Sequence, residues 1–581
     1  MKKKICVMLS LVMAMSLAAC GNDAASSGGA AKTGETKTEA GKDSAAASGE
    51  AEEQLDYTFG ETFHSDTPVT YTMFWSDHES YPYKDSWQIF DKIEEITNVK
   101  LDFKDYTIAR TDYDQKKALM INSGESAYII PKTYDESAFV DGGAIVAVSD
   151  WTQYMPNFTA FVEKYDLGAD LDTMRKADGK LYRLPGLKES AEQDYTLVVR
   201  KDIFDGAGVD VAALEKDWHW EDLYDALVKV KEYMVSKGMC SESDYIWSER
   251  WPGDDGSGGN LLNLMGSTYG VRSGWNVGDG MKYDPETDSF YFSSTTDNFK
   301  EFVSMLNKFV KGGILDPESF TQTDEQACQK FYRGETVIFG SNKAVYNEYL
   351  SNMDSMIGEG NYELYITVYP MGTNNYTAEN SRLENGVMIA SKALDELGEE
   401  GFIKMLRFVD WLFYSDEAYD LTKWGVEGET YEVVKDESTG MEIKRLLPQW
   451  YCGGLAIAQT SDDQKDMRIE LGYAGGVFYY GGTVAQVSDA YPPVLQDYFK
   501  RSNDYRELEP LTPAVAGTED ENEQINLWKT PLISNVNTWT LQFITGQKDV
   551  EKDWDAYVES CKNLNSEKLA DMYNEIYSRT K

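Results

Sequence analysis

The pattern of apolar positions changes period twice within the first forty or so residues of folded-looking chain. Val69, Tyr71, Met73 and Trp75 alternate with Thr70, Thr72 and Phe74, which is the two-residue period of a strand. Ile89, Phe90, Ile93 and Ile96 then recur at helical spacing, and Val99, Leu101 and Phe103 alternate again with Lys100 and Asp102 between them. This β-α-β opening predicts a parallel sheet with right-handed crossovers. Further along, Lys116 to Ile121 predicts a short helix, Gly142 to Val148 a strand, and Thr196 to Arg200 a short apolar strand followed by Asp202-Ile203-Phe204. Leu223, Ala226, Leu227, Val230 and Met234 mark an amphipathic helix. Phe299, Phe302, Val303, Leu306, Phe309 and Val310 mark another, stopped by Gly312-Gly313. Later helices run through Phe402, Met405, Leu406, Val409, Leu412 and Phe413, and through Trp554, Tyr557, Val558 and Cys561. Strands alternating with helices, with no internal repeat, place the chain in the α/β class.

The first residues follow another logic. Lys2, Lys3 and Lys4 precede an apolar stretch from Ile5 to Ala19, shorter than the ~20 residues a spanning helix needs. Small residues close it, so residues 1–19 read as a signal peptide. Leu17-Ala18-Ala19-Cys20 resembles the bacterial lipobox, which implies lipidation of Cys20 after cleavage. Residues 20–56 are mainly Ala, Gly, Ser, Thr, Lys and Glu with almost no apolar bulk; such a segment buries too little surface to offset chain ordering and reads as a flexible tether. The expected location is therefore the extracellular face of a Gram-positive-type cell membrane, held by the lipid alone.

Composition narrows the function. A net charge of −44 argues against a phosphate backbone as partner, so nucleic acid is excluded. Only His64, His78 and His219 supply imidazole, too far apart in sequence for a local metal motif. The chain has no H-E-x-x-H, G-x-S-x-G, P-loop or G-x-G-x-x-G motif, so no catalytic residue, metal or cofactor is assigned and an enzyme is not expected. Cys240, Cys328, Cys452 and Cys561 are widely spaced; free thiols are favoured over one or two disulfides. Aromatic residues are plentiful instead, with 14 Trp and 38 Tyr.

Several segments then occur in a telling order. Asp91-Lys92-Ile93-Glu94-Glu95-Ile96-Thr97-Asn98-Val99 follows the first strand, and Ala118-Leu119-Met120 leads to Ser123-Gly124-Glu125. Phe139-Val140-Asp141-Gly142-Gly143-Ala144-Ile145, Asp178-Gly179-Lys180-Leu181-Tyr182-Arg183-Leu184-Pro185 and Val199-Arg200-Lys201-Asp202 come next. Trp411-Leu412-Phe413-Tyr414-Ser415-Asp416-Glu417, Gly425-Val426-Glu427-Gly428, Phe543-Ile544-Thr545-Gly546 and Trp554-Asp555-Ala556-Tyr557-Val558 complete the series. In this the chain resembles the large extracellular solute-binding lipoproteins of bacterial ABC importers, especially the long Firmicute-type sugar binders. Two departures stand out. Gly124-Glu125-Ser126-Ala127-Tyr128 replaces a Gly-Asp-x-Pro-Asp loop, and Ser241-Glu242-Ser243-Asp244 lacks the ligand spacing of the calcium loop some relatives carry.

The resemblance implies a periplasmic-binding-protein-like fold: two lobes, each a mainly parallel sheet flanked by helices, with a ligand cleft between. It places the first part of lobe 1 at 66–198, the first part of lobe 2 at 199–386, a return to lobe 1 at 387–505, and a C-terminal segment at 506–581 packing on lobe 2. The implied function is capture of a small molecule, an oligosaccharide, by a monomer that delivers it to ABC transporter permease subunits. A peptide or amino-acid ligand in the same fold is the alternative, and a surface lipoprotein with no transported ligand a more distant one.

Sugar rings pack on aromatic faces, and their hydroxyls need planar amide, carboxylate or guanidinium partners. Trp247, Glu249, Arg250 and Trp251, ahead of glycine-rich 253–259, offer this combination and are the leading candidates. Trp75 and His78 stand at the end of the first strand, where loops of open α/β sheets face the crevice. Trp275, Trp450 and Tyr451 lie beside glycines, and Arg382 with Glu384 precedes the expected return crossing.

Overall fold

The computed structural model describes residues 57–580, apart from 254–255, 379–380, 436–441, 456, 479–480 and 489–490. Cys20 and residues 1–56, read above as a signal peptide and tether, lie outside the described residues.

The opening β-α-β unit forms as the periodicity predicts. Val69–Thr72 and Val99–Asp102 pair in parallel, with the helix Gln88–Thr97 between them, and Trp75–Asp77 pairs in parallel with Thr107–Ala109. Next to them lies a four-stranded sheet in the order Gly481–Gly482, Leu184–Lys188, Leu383–Ile389, Ile129–Thr133. Neighbouring residues along these strands enter different cores. Met73, Ile129, Val387 and Ile389 pack with Trp87, Phe408 and Trp411, whereas Phe74, Ile130 and Met388 pack with Tyr113 and Phe139. A sheet covered on both faces needs apolar residues on both, which explains why these strands read as apolar runs.

The second lobe repeats the plan. Thr196–Arg200 is buried along its whole length; Leu197 and Val199 face the core of Leu227, Phe302 and Phe309, and Val198 faces Phe331, Phe339 and Tyr349. The helix Asp297–Lys311 buries Phe299, Phe302, Val303, Leu306 and Phe309, with the Thr296 side chain capping its first turn. The C-terminal helices Glu519–Ile544, Val550–Asn563 and Ser566–Thr580 close over this same core through Val536, Phe543, Tyr557 and Ile576.

Three features differ from the sequence reading. The sheet of lobe 2 is antiparallel: Thr196–Arg200 runs against both Ile338–Ser341 and Leu364–Thr367. The same holds for Leu383–Ile389 against Leu184–Lys188 in lobe 1. For Leu364–Thr367 and Leu383–Ile389 the physical reason is the crossing itself, since one strand carries the chain out toward the other lobe and another carries it back. Gly142–Val148 is not a strand. It is a turn in which Ile145 makes a single bridge to Ala390 before a helical turn at Val148–Asp150. Finally, Leu495, Tyr498 and Phe499 of the helix Pro493–Tyr505 belong to the core of Val198 and Phe339, so the last crossing to lobe 2 precedes residue 493 rather than following 505. Thr196–Arg200 likewise lies wholly in lobe 2, and the first crossing runs between Lys188 and Thr196.

Cys240, Cys328, Cys452 and Cys561 are free thiols, and all but Cys240 are buried. No helix among the described residues is long and apolar enough to cross a membrane.

Candidate functional site

The crossings bring both lobes to the edge of a cavity of about 810 Å³. Lobe 1 contributes Tyr134, Lys188, Glu384, Tyr419 and Lys423 to its wall. Lobe 2 contributes Tyr195, Asn263, Trp275, Asn276, Lys343 and Tyr491, and the first crossing adds Glu192 and Asp194. The volume falls in the usual range of small-molecule sites, and the position between lobes is a usual one.

The lobe 2 wall carries an aromatic platform. Tyr195 meets Trp275 edge to face at 5.3 Å and Trp251 at 5.3 Å, and the two indoles are 6.0 Å apart. Trp275 is 43% exposed, an unusual state for the largest side chain, and it presents that surface to the cavity. Glycine makes the assembly tight. A Cβ on Gly259 would lie 1.6 Å from the Trp251 carbonyl, and one on Gly274 would lie 2.1 Å from the Gly259 carbonyl. Both positions have positive φ, so the Trp251 and Trp275 loops can pack against the start of the helix Gly259–Thr268 only with glycine there.

Behind the platform, the motif that looked like a binding site is its buried support. Trp247 is 1% exposed, packs edge to face on Phe309 at 5.4 Å, and donates Nε1–H to Glu249. Glu249 also accepts from the backbone N–H groups of Arg250 and Gly340. Burial pushes the Glu249 carboxyl up to about 7 despite these donors. Arg250 makes a two-point contact with Asp324, donates to the Tyr349 hydroxyl, and lays its guanidinium 4.3 Å over the Trp251 ring. Trp247, Glu249 and Arg250 are therefore corrected from ligand contacts to scaffold, and Trp251 becomes the part-buried link between that scaffold and Trp275.

Other candidates also point elsewhere. Trp75 is buried among Trp87, Phe90, Phe103 and Phe478, because its face of the strand is the core face. His78 stacks on Tyr81 at 4.2 Å, and Arg468 lies 4.8 Å over that same tyrosine ring, outside the cavity wall. Trp450 donates its indole N–H to the Glu429 carbonyl, and Tyr451 pairs with Asp466 in a short ladder; Gly454 and Leu455 line the cavity instead. Arg382 clamps buried Asp170 and the carbonyls of Tyr165 and Asp166. Its neighbour Glu384 does reach the cavity, paired with Lys188 at 2.9 Å.

Sequence reasoning missed Tyr134, Tyr195, Asn263, Asn276, Lys343, Tyr419, Lys423 and Tyr491. Lys343 follows the strand Ile338–Ser341 in a loop at the lobe edge, a position that could have been flagged. Its ammonium lies 3.0 Å from Glu192 and 3.9 Å from Asp194. Burial works against that ammonium, but the two carboxylates outweigh it and hold its pKa well above normal.

No protein-family model and no curated protein matches the chain. Solved structures do. An alginate-binding protein, solved without calcium ion, aligns with a TM-score of 0.61 and 17% identity over 89% of this chain and 99% of its own. An HMO-binding, ABC-transporter-associated solute-binding protein from Bifidobacterium longum infantis aligns with a TM-score of 0.62 and 14% identity, over 89% and 100%. An ABC-transporter substrate-binding protein of S. pneumoniae in complex with kestose aligns with a TM-score of 0.60 and 16% identity, over 88% and 99%. The fold is that of the two-lobed solute-binding proteins. The cavity bounded by Trp275 and Lys423 lies between the two lobes of this fold.

Proposed function

We propose that the chain captures an oligosaccharide between its lobes and presents it to the permease subunits of an ABC importer. The observation that carries this is the Tyr195–Trp251–Trp275 platform, with Trp275 half exposed on the wall of an interlobe cavity that also holds Asn263 and Asn276. An indole face packs on the axial hydrogens of a sugar ring, and amide side chains pair with hydroxyls as both donor and acceptor. The ligands named for the structural neighbours, HMO, kestose and alginate, support the same class. Binding rather than catalysis suits the cavity's acids: Glu384 is paired with Lys188, and Glu192 and Asp194 share Lys343. Closure of the lobes around ligand would be the signal the transporter reads.

The test is a thermal-shift screen of oligosaccharides followed by titration calorimetry on the best binder. Trp275→Ala and Tyr195→Ala should each weaken it by about 1–3 kcal/mol, roughly 5- to 150-fold, with little change in the unliganded melting temperature. Unchanged affinity in both variants would place the ligand elsewhere.

We also propose that the chain is anchored at the extracellular membrane face by lipid on Cys20, a reading supported by the Leu17-Ala18-Ala19-Cys20 sequence. Cys20→Ser should release ligand-competent protein into the medium; retention in the membrane fraction would count against the anchor.

A further inference from the structure

The charges of the cavity do not all pair. Lys188 has Glu384, and Lys343 has Glu192 and Asp194. Lys423, on the helix Asp416–Trp424, lines the same cavity and has neither a hydrogen-bond nor an ion-pair partner among the described residues. Asp420, one helical turn back, is taken by Lys444 at 3.0 Å. Tyr419 shares the cavity wall but gives its hydroxyl to the Gln486 carbonyl. The titratable groups that act on Lys423 are the buried Cys452 thiol and the Lys343 ammonium, which repels it. In a chain with 99 acidic and 55 basic residues, an unpaired ammonium at this place runs against composition. A partly buried cation without a partner is costly in the empty protein, and that cost is relieved by an anion arriving with the ligand.

Resting on the saccharide reading of the cavity, we propose that the ligand is an acidic oligosaccharide whose carboxylate or sulfate group is bound by Lys423. The two contacts come from opposite lobes. Trp275 and Tyr195 hold a ring on lobe 2, and Lys423 holds the anion on lobe 1, so one ligand favours the closed form through both. The chain's net charge of −44 does not oppose this at short range, since exposed charges beyond about 8 Å are largely screened at physiological salt. Burial lowers the Lys423 pKa to about 8, so the ammonium is mostly present at neutral pH. Affinity for an acidic ligand should therefore hold below pH 8 and decline above it.

The experiment screens the full chain against two sets of probes. The neutral set is malto-, fructo- and xylo-oligosaccharides. The acidic set is oligogalacturonates and hyaluronan oligosaccharides, which carry carboxylates, and chondroitin sulfate oligosaccharides, which add sulfate. Acidic members should bind, and comparing the carboxylate with the sulfated arm identifies the anion. Lys423→Met should weaken the acidic binders by about tenfold or more, and Lys423→Arg should restore most of the loss. The unliganded melting temperature of Lys423→Met should equal or exceed that of the parent, because the substitution removes an uncompensated cation. Lys423→Gln serves as a second neutral variant should methionine perturb folding. Binding confined to neutral sugars, or acidic binding that Lys423→Met leaves intact, overturns the inference while the saccharide reading stands. Binding of no saccharide in either set overturns that reading and the inference with it.

Discussion

Trp247→Ala is expected to lower the stability of lobe 2 by about 3–5 kcal/mol, the usual cost of truncating a buried tryptophan. The ring lies in the core with Phe309, Leu306 and Ile314, so truncation leaves a cavity that the surrounding helix and strands cannot fill. It also removes one of the N–H donors to Glu249, which is 2% exposed. A buried carboxyl that loses a donor in such a place costs a further share of its solvation. Trp247→Phe separates the two effects, keeping most of the ring volume while deleting the donor. Denaturant or thermal melts without ligand measure the loss, and calorimetry well below the midpoint should find near-normal affinity. A variant that melts normally and binds weakly would return Trp247 to the cavity wall and undo the division between scaffold and platform.

Arg382→Met is expected to cost about 3 kcal/mol or more, again in stability rather than in affinity. Arg382 contacts Asp170 through Nε and Nη2 and caps the Tyr165 and Asp166 carbonyls. Asp170 is 2% exposed, so removing the guanidinium leaves a buried carboxylate without its cation. Asp170→Asn alongside Arg382→Met should recover part of the loss, because the amide no longer carries a buried charge. Equal melting temperatures for Arg382→Met and the parent would show the clamp to be energetically idle. The position adds interest: Arg382 immediately precedes the strand Leu383–Ile389, where the chain re-enters lobe 1, so the clamp sets where that crossing ends.

Both variants bear on one question, which tryptophans and which charges face the ligand. Trp247, Glu249, Arg250 and Trp251 had the right chemistry in the right order, and the pattern is real. Its direction is not readable from the chain. Arg250 finds Asp324 and Tyr349, and Glu249 finds Gly340, all far along the sequence, and these partners turn the motif inward.

The alternation at Val69–Trp75, the helical stripes at Gln88–Thr97 and Asp297–Lys311, and the glycine stop after Lys311 were determined by the sequence alone, because each depends on neighbours within a few residues. So was the two-lobed class, through the order of its segments. Tertiary structure decided strand direction, the place of each crossing and the membership of the site. A two-residue period is the same for parallel and antiparallel strands, so only the out-and-back path between lobes set Thr196–Arg200 antiparallel to Leu364–Thr367. The cavity draws Lys188, Tyr195, Trp275, Lys343 and Lys423 from elements that share no local pattern. Lys423 shows the limit most plainly. On its own helix it reads as an ordinary polar position, and only the packing of two lobes, with Asp420 drawn off to Lys444, leaves its ammonium at a cavity without a counter-charge among the described residues.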